Sequence, residues 1–343
     1  MPSQRVTLAT LAKHLGLSIS TVSNAYNHPD QLSAASREKV FAAARELGYA
    51  GPDPLASSLR SGRVGAVGLI EKSLPVALTD PASLLMLSGV AEACDEAGVA
   101  LVIVPRSRSG SGVADVVRSA VVDGFVAHCD ALDDERRLIV EERRLPIVVL
   151  DGRATTGEPS VGIDEEGGTY AAARHLIDLG HRDLAVIAFA PHTIGAFNTG
   201  TMRRLAGYRH AVEEAGLDPQ ALRIVEGSAY DRDETVAIAR ELLATADRPT
   251  GVLAMSDEMA VAVITAAGAL GLRVPDDVSV VGFDDTVTAA TSSPPLTTVH
   301  QPHAAKGAAA VRMLLDHGTG PKDITFPVEL VVRGSTGPPP PPS

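Results

Sequence analysis

The chain has 343 residues, 45% of them hydrophobic and 3% aromatic, and a formal net charge of −12. That length exceeds one compact core and implies a small domain joined to a larger, bilobed one; no stretch reaches transmembrane length, and Lys13 and His14 interrupt the first apolar residues before an export signal can form, so a cytoplasmic chain without a membrane partner is expected. The acidic balance opposes a nucleic-acid partner overall, yet residues 1–62 hold two more cations than acids, which permits DNA binding by the head alone with modest non-specific affinity.

Leu8, Leu11, Ala12 and Leu15 repeat at helical spacing behind Thr7, an acceptable N-cap, and Gly16 breaks the pattern. Ser18 can cap a second helix whose Val22 and Ala25 point back at the first, leaving Ile19, Ser20, Thr21, Ser23 and Asn24 outward. Hydroxyls, one amide and one aliphatic tip suit base-pair edges and the phosphates beside them, as in a helix-turn-helix recognition helix. An αα-hairpin with a glycine turn is also common in proteins that never touch DNA, so the pattern alone does not decide. After the turn from Asn27 to Leu32, Ser33 caps a third helix that runs to about Leu47. Its stripe is Val40, Phe41, Ala44 and Leu47, and Gly48 ends it.

The string LAKHLGLSISTVSNAYN is more specific than the pattern. It resembles the DNA-binding heads of the lactose and galactose repressor family of bacterial transcription regulators, matching at Ala12, Gly16, Ser18, Thr21, Val22, Ser23 and Asn27. Thr10 stands where the family usually has aspartate and Asn24 where it usually has arginine, which alters the expected operator sequence but not the mode of binding. The resemblance implies DNA contacts from Thr7, Ser18, Ile19, Ser20, Thr21, Ser23, Asn24, Asn27 and Tyr49. The expected partner is a near-palindromic double-stranded operator, read by a homodimer or a tetramer.

Gly51, Pro52 and Pro54 mark a linker. Leu55 to Ser61 then form one or two helical turns, too short to be stable alone. In the family this segment looks like the hinge helix, which folds on the operator and wedges a leucine into the minor groove. Leu59, followed by Arg60, occupies that place, and an apolar wedge suits it because it can unstack a base step. The competing reading is an ordinary flexible linker. Ser57 replaces a frequent family arginine, and the run from Ala50 to Pro54 is one residue longer than usual; both would alter docking.

From Val64 onward, strands alternate with helices in the rhythm of a doubly wound, mostly parallel sheet. Residues 64–70, 100–105, 124–129 and 146–151 form one set of continuous apolar runs, as strands buried on both faces should, and the strands 184–190, 223–227, 251–256 and 278–285 form a second set. Two sets in tandem imply two similar lobes with a ligand between them, outside the carboxyl ends of the strands. The expected domains are a helix-turn-helix head over 1–49, a linker and hinge over 50–63, and a two-lobed body over 64–336. Lobe 1 would comprise about 64–163 and 300–321, lobe 2 about 164–298 and 322–336. The Pro-rich tail over 337–343 shows no packing pattern and reads as disordered.

The body resembles the effector-binding core of the same family, itself akin to periplasmic sugar-binding proteins, with its strongest marks at 175–187, 204–217, 251–285 and 294–302. The resemblance implies effector contacts from Asp151, Phe189, Arg204, Ser256, Asp284 and Gln301. A guanidinium fork at Arg204 suits hydroxyls, carboxylates or phosphates, and Asp284 can accept hydrogen bonds from hydroxyls or nitrogens. Asp257 reads equally as helix cap or contact. Phe197 is a further candidate wall, and Phe189 has core packing as its alternative. The expected effector is a small polar molecule, sugar or nucleobase-like.

No enzyme pattern emerges. His175 and His181 flank a glycine turn, and His300 and His303 share a loop, without metal spacing. Cys94 and Cys129 read as buried free thiols, and neither a G-x-S-x-G elbow nor a P-loop occurs. No cofactor and no metal are expected. The sequence thus reads as a ligand-responsive, sequence-specific DNA-binding repressor, with a periplasmic-type solute receptor and a ligand-independent regulator as the alternatives.

Overall fold

The computed structural model describes residues 6–51, 62–71, 73–105, 113–129, 134–152, 154, 157–190, 199–228, 231–316 and 319–341. The chain forms two compact units, the first ending at Gly65 and the second beginning at Ala66. No helix among the described residues is long and apolar enough to cross a membrane.

The first unit holds helices α1 (Leu8–Leu15), α2 (Ile19–Asn27) and α3 (Ala34–Leu47). All three start at the expected hydroxyl caps: Thr7, Ser18 and Ser33 accept from the backbone N–H of Thr10, Thr21 and Ser36. Gly16 and Gly48 end α1 and α3 in the left-handed conformation, which costs glycine no Cβ clash. Leu11, Ala12, Val22, Ala25, Val40, Ala43 and Ala44 close a small core, with Tyr26 and Tyr49 packed against it edge to face.

In the second unit, β1 (Ala66–Glu71) is followed by a helical turn α4 (Leu74–Ala77), α5 (Pro81–Glu96), β2 (Ala100–Pro105), α6 (Val113–Ser119), β3 (Gly124–His128), α7 (Asp134–Glu142), β4 (Ile147–Leu150) and β5 (Ser160–Ile163). Then come α8 (Glu165–Asp178), β6 (Leu184–Phe189), α9 (Thr199–Glu214), β7 (Arg223–Gly227), α10 (Arg232–Leu243), β8 (Gly251–Ala254), α11 (Asp257–Ala269), β9 (Ser279–Asp284), α12 (Val287–Thr291) and β10 (Thr297–His300). The chain ends with α13 (His303–Leu315), β11 (Asp323–Phe326) and β12 (Glu329–Val331).

These strands make two six-stranded sheets, ordered β11-β5-β4-β3-β1-β2 and β12-β10-β9-β8-β6-β7. The shared order shows two copies of one doubly wound plan, parallel except where β12 runs against β10. The eight anticipated segments are strands, most with up to two residues lost at an end, while β1 starts two residues later and runs one further, to Glu71. The four strands not anticipated, β5, β10, β11 and β12, are short, and their burial alternates or mixes with polar residues.

Two expectations need correction. Residues 323–326 belong to the first sheet, not to lobe 2: β11 pairs with β5, and Ile324 and Phe326 pack on the core of the first lobe. The return to lobe 2 therefore falls after Phe326, and the chain crosses between the lobes after β5, after β10 and after β11. The tail is also not unpacked at its start. Gly337 donates its N–H to Ser279 Oγ at 3.0 Å and its carbonyl accepts from the His181 ring at 2.9 Å, while Pro339 lies against Gly180. The composition signalled only the lack of a helix or strand period, not the lack of a docking site.

The helices that carry the cleft residues are pressed tightly onto their neighbours. A Cβ on Gly89 of α5 would lie 1.9 Å from the Ala304 carbonyl of α13, and one on Gly307 would lie 2.4 Å from the Met86 carbonyl. Only glycine permits this approach, which fixes the start of α13 over the first sheet.

Candidate functional site

In the head, α2 presents Ser18, Ile19 and Ser20 to solvent, with Ile19 52% exposed although it is a large aliphatic. Thr21, Ser23 and Asn24 are only half-buried rather than fully outward. Ser18 Oγ lies 2.8 Å from Ser20 Oγ and 2.7 Å from Thr21 Oγ1, a hydroxyl cluster at the amino end of the helix, where phosphates are favoured. Asn24 Nδ2 donates to Gln31 Oε1 at 2.9 Å, so this amide is already held in one orientation. Thr7 shares its cap with the Thr10 hydroxyl at 3.0 Å. The Tyr49 ring belongs partly to the core of the head. Leu59, Arg60 and Phe197 lie outside the described residues, as does the side chain of Asn27.

In the second unit a cleft opens where the carboxyl ends of the strands of both sheets meet, with an interior of about 160 Å³. Five of its walls are strand ends or the residues just after them: Asp151 after β4, Phe189 ending β6, Ser256 after β8, Asp284 ending β9 and Gln301 after β10. Arg204 comes from α9. The cleft thus brings together all six anticipated effector residues. Three of its residues, Cys129, Asp151 and Asp284, hold positive φ (48°, 52° and 117°), and such outliers gather where a site is held by its surroundings.

Two polar chains order these walls. In the first, Arg204 Nε donates to Glu165 Oε2 at 2.6 Å, Nη1 donates to the Met255 carbonyl, and the guanidinium lies 3.7 Å from the centre of the Phe283 ring. Burial alone would lower the Arg204 pKa, but Glu165 and then Asp284 raise it, so the cation is firmly held. The fork anticipated for hydroxyls, carboxylates or phosphates is therefore largely occupied within the chain. In the second chain, Lys306 Nζ donates to Asp151 Oδ2 and to Gln301 Oε1, each at 2.5 Å, and Gln301 Nε2 donates to Asp284 Oδ1 at 2.6 Å. This chain runs from the first lobe to the second.

Burial pushes the Asp284 carboxyl well above the ordinary range against the pull of Arg204, and Asp257 and Asp80 push it the same way. Asp151 goes the other way: burial alone would raise it, but Lys306 and His128 outweigh that. Asp257 is neither a cap nor a contact; it is 1% exposed and accepts from Thr286 N and Oγ1 and from Thr298 Oγ1. Ser256 is the cap, accepting from Met259 N at 3.3 Å, while still bordering the cleft.

Sequence reasoning missed Glu71, His128, Glu165 and Lys306, which all border the cleft. It also saw in His303 only a loop histidine without metal spacing, whereas the side chain borders the cleft. His303 Nε2 donates to the Asp284 carbonyl at 3.1 Å, and burial and then Lys306 hold its pKa down to about 3. The folded pKa lies below that of a free imidazole, so the unfolded chain takes the proton first and stability falls as pH drops below about 6.5 towards 3. At pH 5 this amounts to about 2 kcal/mol. The wild type is expected to lose stability between pH 7 and pH 5 more steeply than His303→Gln in urea titrations; parallel profiles would contradict it.

Two family profiles match the sequence, that of bacterial regulatory proteins of the lacI family over residues 7–51 and that of a periplasmic-binding-protein-like domain over residues 173–336. An HTH-type transcriptional regulator of Mycolicibacterium smegmatis is 37% identical over 361 aligned residues, covering 99% of this chain and 98% of that protein. The chain belongs to the lacI family of bacterial regulatory proteins. Among solved structures, the Lac repressor dimer bound to operator and the anti-inducer ONPF is 29% identical with a TM-score of 0.82, over 97% of this chain and 100% of that one. A complex of the transcriptional regulator CelR with cellobiose is 32% identical with a TM-score of 0.71, over 96% and 100%. As a lacI-family member the protein is a DNA-binding transcription regulator, with a helix-turn-helix head and a two-lobed, periplasmic-binding-protein-like body.

Proposed function

We propose that this lacI-family protein is a cytoplasmic repressor that binds a near-palindromic operator as a homodimer and changes its grip when a small polar molecule draws the two lobes together. The supporting observation is the polar chain Asp151–Lys306–Gln301–Asp284, which spans the cleft from one lobe to the other. A ligand inserted among these groups has different contacts in open and closed forms, which is what a shift between two states requires.

The walls also indicate the effector's class. Among the described lining residues Glu71, Asp80, Asp151, Glu165 and Asp284 outnumber Arg204, Lys306 and the His128 imidazole, and each of these three is already paired with a carboxylate. Asp151 Oδ1 is buried without a hydrogen-bond partner among the described residues. Such a wall rewards donors and penalises anions, so a neutral polyhydroxylated molecule of the sugar type fits better than a phosphate ester or a carboxylate. The test is a thermal-shift screen of neutral sugars, nucleobases and sugar phosphates, followed by operator binding with the hits. Asp284→Asn is expected to weaken the hit roughly 3- to 10-fold, the worth of one ordinary hydrogen bond. Hits confined to phosphorylated compounds, or an undiminished response in the variant, would refute this class.

For the operator, Ile19, Ser20 and Asn24 are the proposed base readers. Thr7, Ser18, Thr21, Ser23, Asn27 and Tyr49 are the proposed backbone contacts, and Leu59 with Arg60 the minor-groove hinge within residues 50–63. Asn24 must release Gln31 to pair with adenine. Asn24→Arg is expected to move preference towards guanine at one position per half-site by about 1 to 3 kcal/mol. Selection from random duplexes with both proteins checks this; identical consensus sequences would rule it out.

A further inference from the structure

The end of β3 carries a group that effector binding alone does not require. His128 Nδ1–H donates to Glu71 Oε1 at 2.9 Å, and Cys129 Sγ lies 3.1 Å from His128 Nε2. The imidazole and the carboxylate are buried, at 8% and 5% exposure, whereas Cys129 is half-buried and borders the cleft. Burial alone would lower the His128 pKa, but Cys129 and Glu71 together raise it well above that of a free imidazole. The other thiol, Cys94, sits in the core of the first lobe, where burial pushes its pKa up. Within reach of the His128 ring are also Asp151, whose Oδ2 is 3.9 Å from Nε2, and, beyond it, Lys306. A sulfur, a base within hydrogen-bonding reach and a carboxylate that orients the base form the arrangement that activates a nucleophile.

We propose that Cys129 is a nucleophile activated by His128, with Glu71 as the positioning residue, and that the cleft captures α,β-unsaturated carbonyl compounds covalently as a second kind of signal. Sγ forms a bond to the β-carbon as the C=C π pair moves towards the carbonyl. The one proton shared between Cys129 Sγ and His128 Nε2 passes to the α-carbon. The addition has no leaving group and needs no oxidant. Its consequence for DNA rests on the effector reading of the cleft; the reaction itself does not.

N-ethylmaleimide is the probe, applied to the full-length protein at pH 7 and followed by intact mass and peptide mapping. Cys129 in the native protein is expected to react at least about tenfold faster than in the same chain unfolded in urea, with Cys94 unreacted, and His128→Gln should remove most of that advantage. Glu71→Gln is expected to move the pH–rate profile of alkylation, which a loss of packing alone would not do. The adduct should change affinity for a selected operator at least fivefold, and Cys129→Ser should show neither adduct nor change. A native rate no greater than the unfolded one overturns the activated thiol without any variant, and a fast adduct with unchanged operator affinity overturns the signalling role. If the effector reading fails, the reversible-ligand screen gives no hits while rapid alkylation of Cys129 and its effect on operator affinity can still be measured.

Discussion

Arg204→Ala is expected to destabilise the second unit by about 3 to 5 kcal/mol and to abolish the effector response. The loss does not come chiefly from a missing ligand contact. Without the guanidinium, Glu165 is left as a buried carboxylate facing the cleft, and removing one partner of a buried ion pair typically has this cost. The Phe283 ring also loses the cation on its face. Adding Glu165→Gln should recover part of the stability, because the uncompensated charge is then gone. Urea unfolding of the full chain measures both variants. A single variant within about 0.5 kcal/mol of wild type, the ordinary range for a surface change, would show that the pair carries little.

Lys306→Met is the second large effect, again about 3 to 5 kcal/mol, because it strands Asp151 in the wall of the first lobe and leaves Gln301 without its donor. It also reverses a pH dependence. With Lys306 present the folded Asp151 pKa is depressed, so Asp151 contributes stability above the pKa of a free carboxyl, and that stability fades as pH falls through the folded value. Without the amine, burial dominates and the carboxyl is raised, so this contribution is unfavourable at neutral pH and recovers on acidification. Asp151→Asn in the Lys306→Met background should restore much of the lost stability at pH 7. No recovery would show that the methionine side chain, rather than the stranded charge, is the cause.

Most of the strands were legible because they are apolar runs buried on both faces, which a sequence displays directly; the edge strands β2 and β7 are only partly buried, and β7 carries Arg223 and Glu226. The strands that escaped are those whose burial depends on distant partners. β10 reads Thr-Thr-Val-His; the Thr297 N–H donates to Ser335 Oγ, its hydroxyl accepts from Arg333 N, and the Thr298 hydroxyl donates to Asp257, partners that nothing near them in sequence announces. Lys306 was illegible for the same reason: in its helix it looks like a solvated lysine, and its carboxylate partner lies 155 residues away. Glu165 reads as an ordinary acid in a helix's first turn. The six effector positions came from family resemblance rather than periodicity, and geometry has since divided their work. Arg204, Ser256 and Gln301 line the cleft but also brace it, through Glu165 and Met255, the start of α11, and Lys306 with Asp284 respectively. In the head, the caps and inward residues followed from spacing alone, whereas the Asn24–Gln31 bond joins two elements and could not be read from either.

The threefold crossing of the chain between the lobes has a mechanical consequence. A single strap would let one lobe swivel, slide or twist freely against the other, and a ligand's binding energy would be dispersed among those motions. Three covalent straps resist sliding and leave rotation about the line of straps as the soft direction. Segments of this kind absorb a turn through a few backbone dihedrals, as hinges do. The middle strap carries Gln301, and the helix it feeds carries Lys306, so the polar chain sits beside the axle. Small displacements there correspond to large arcs at the far ends of the sheets. Where a ligand closes the cleft, such a body would work as a lever, short at the ligand and long at its outer edge.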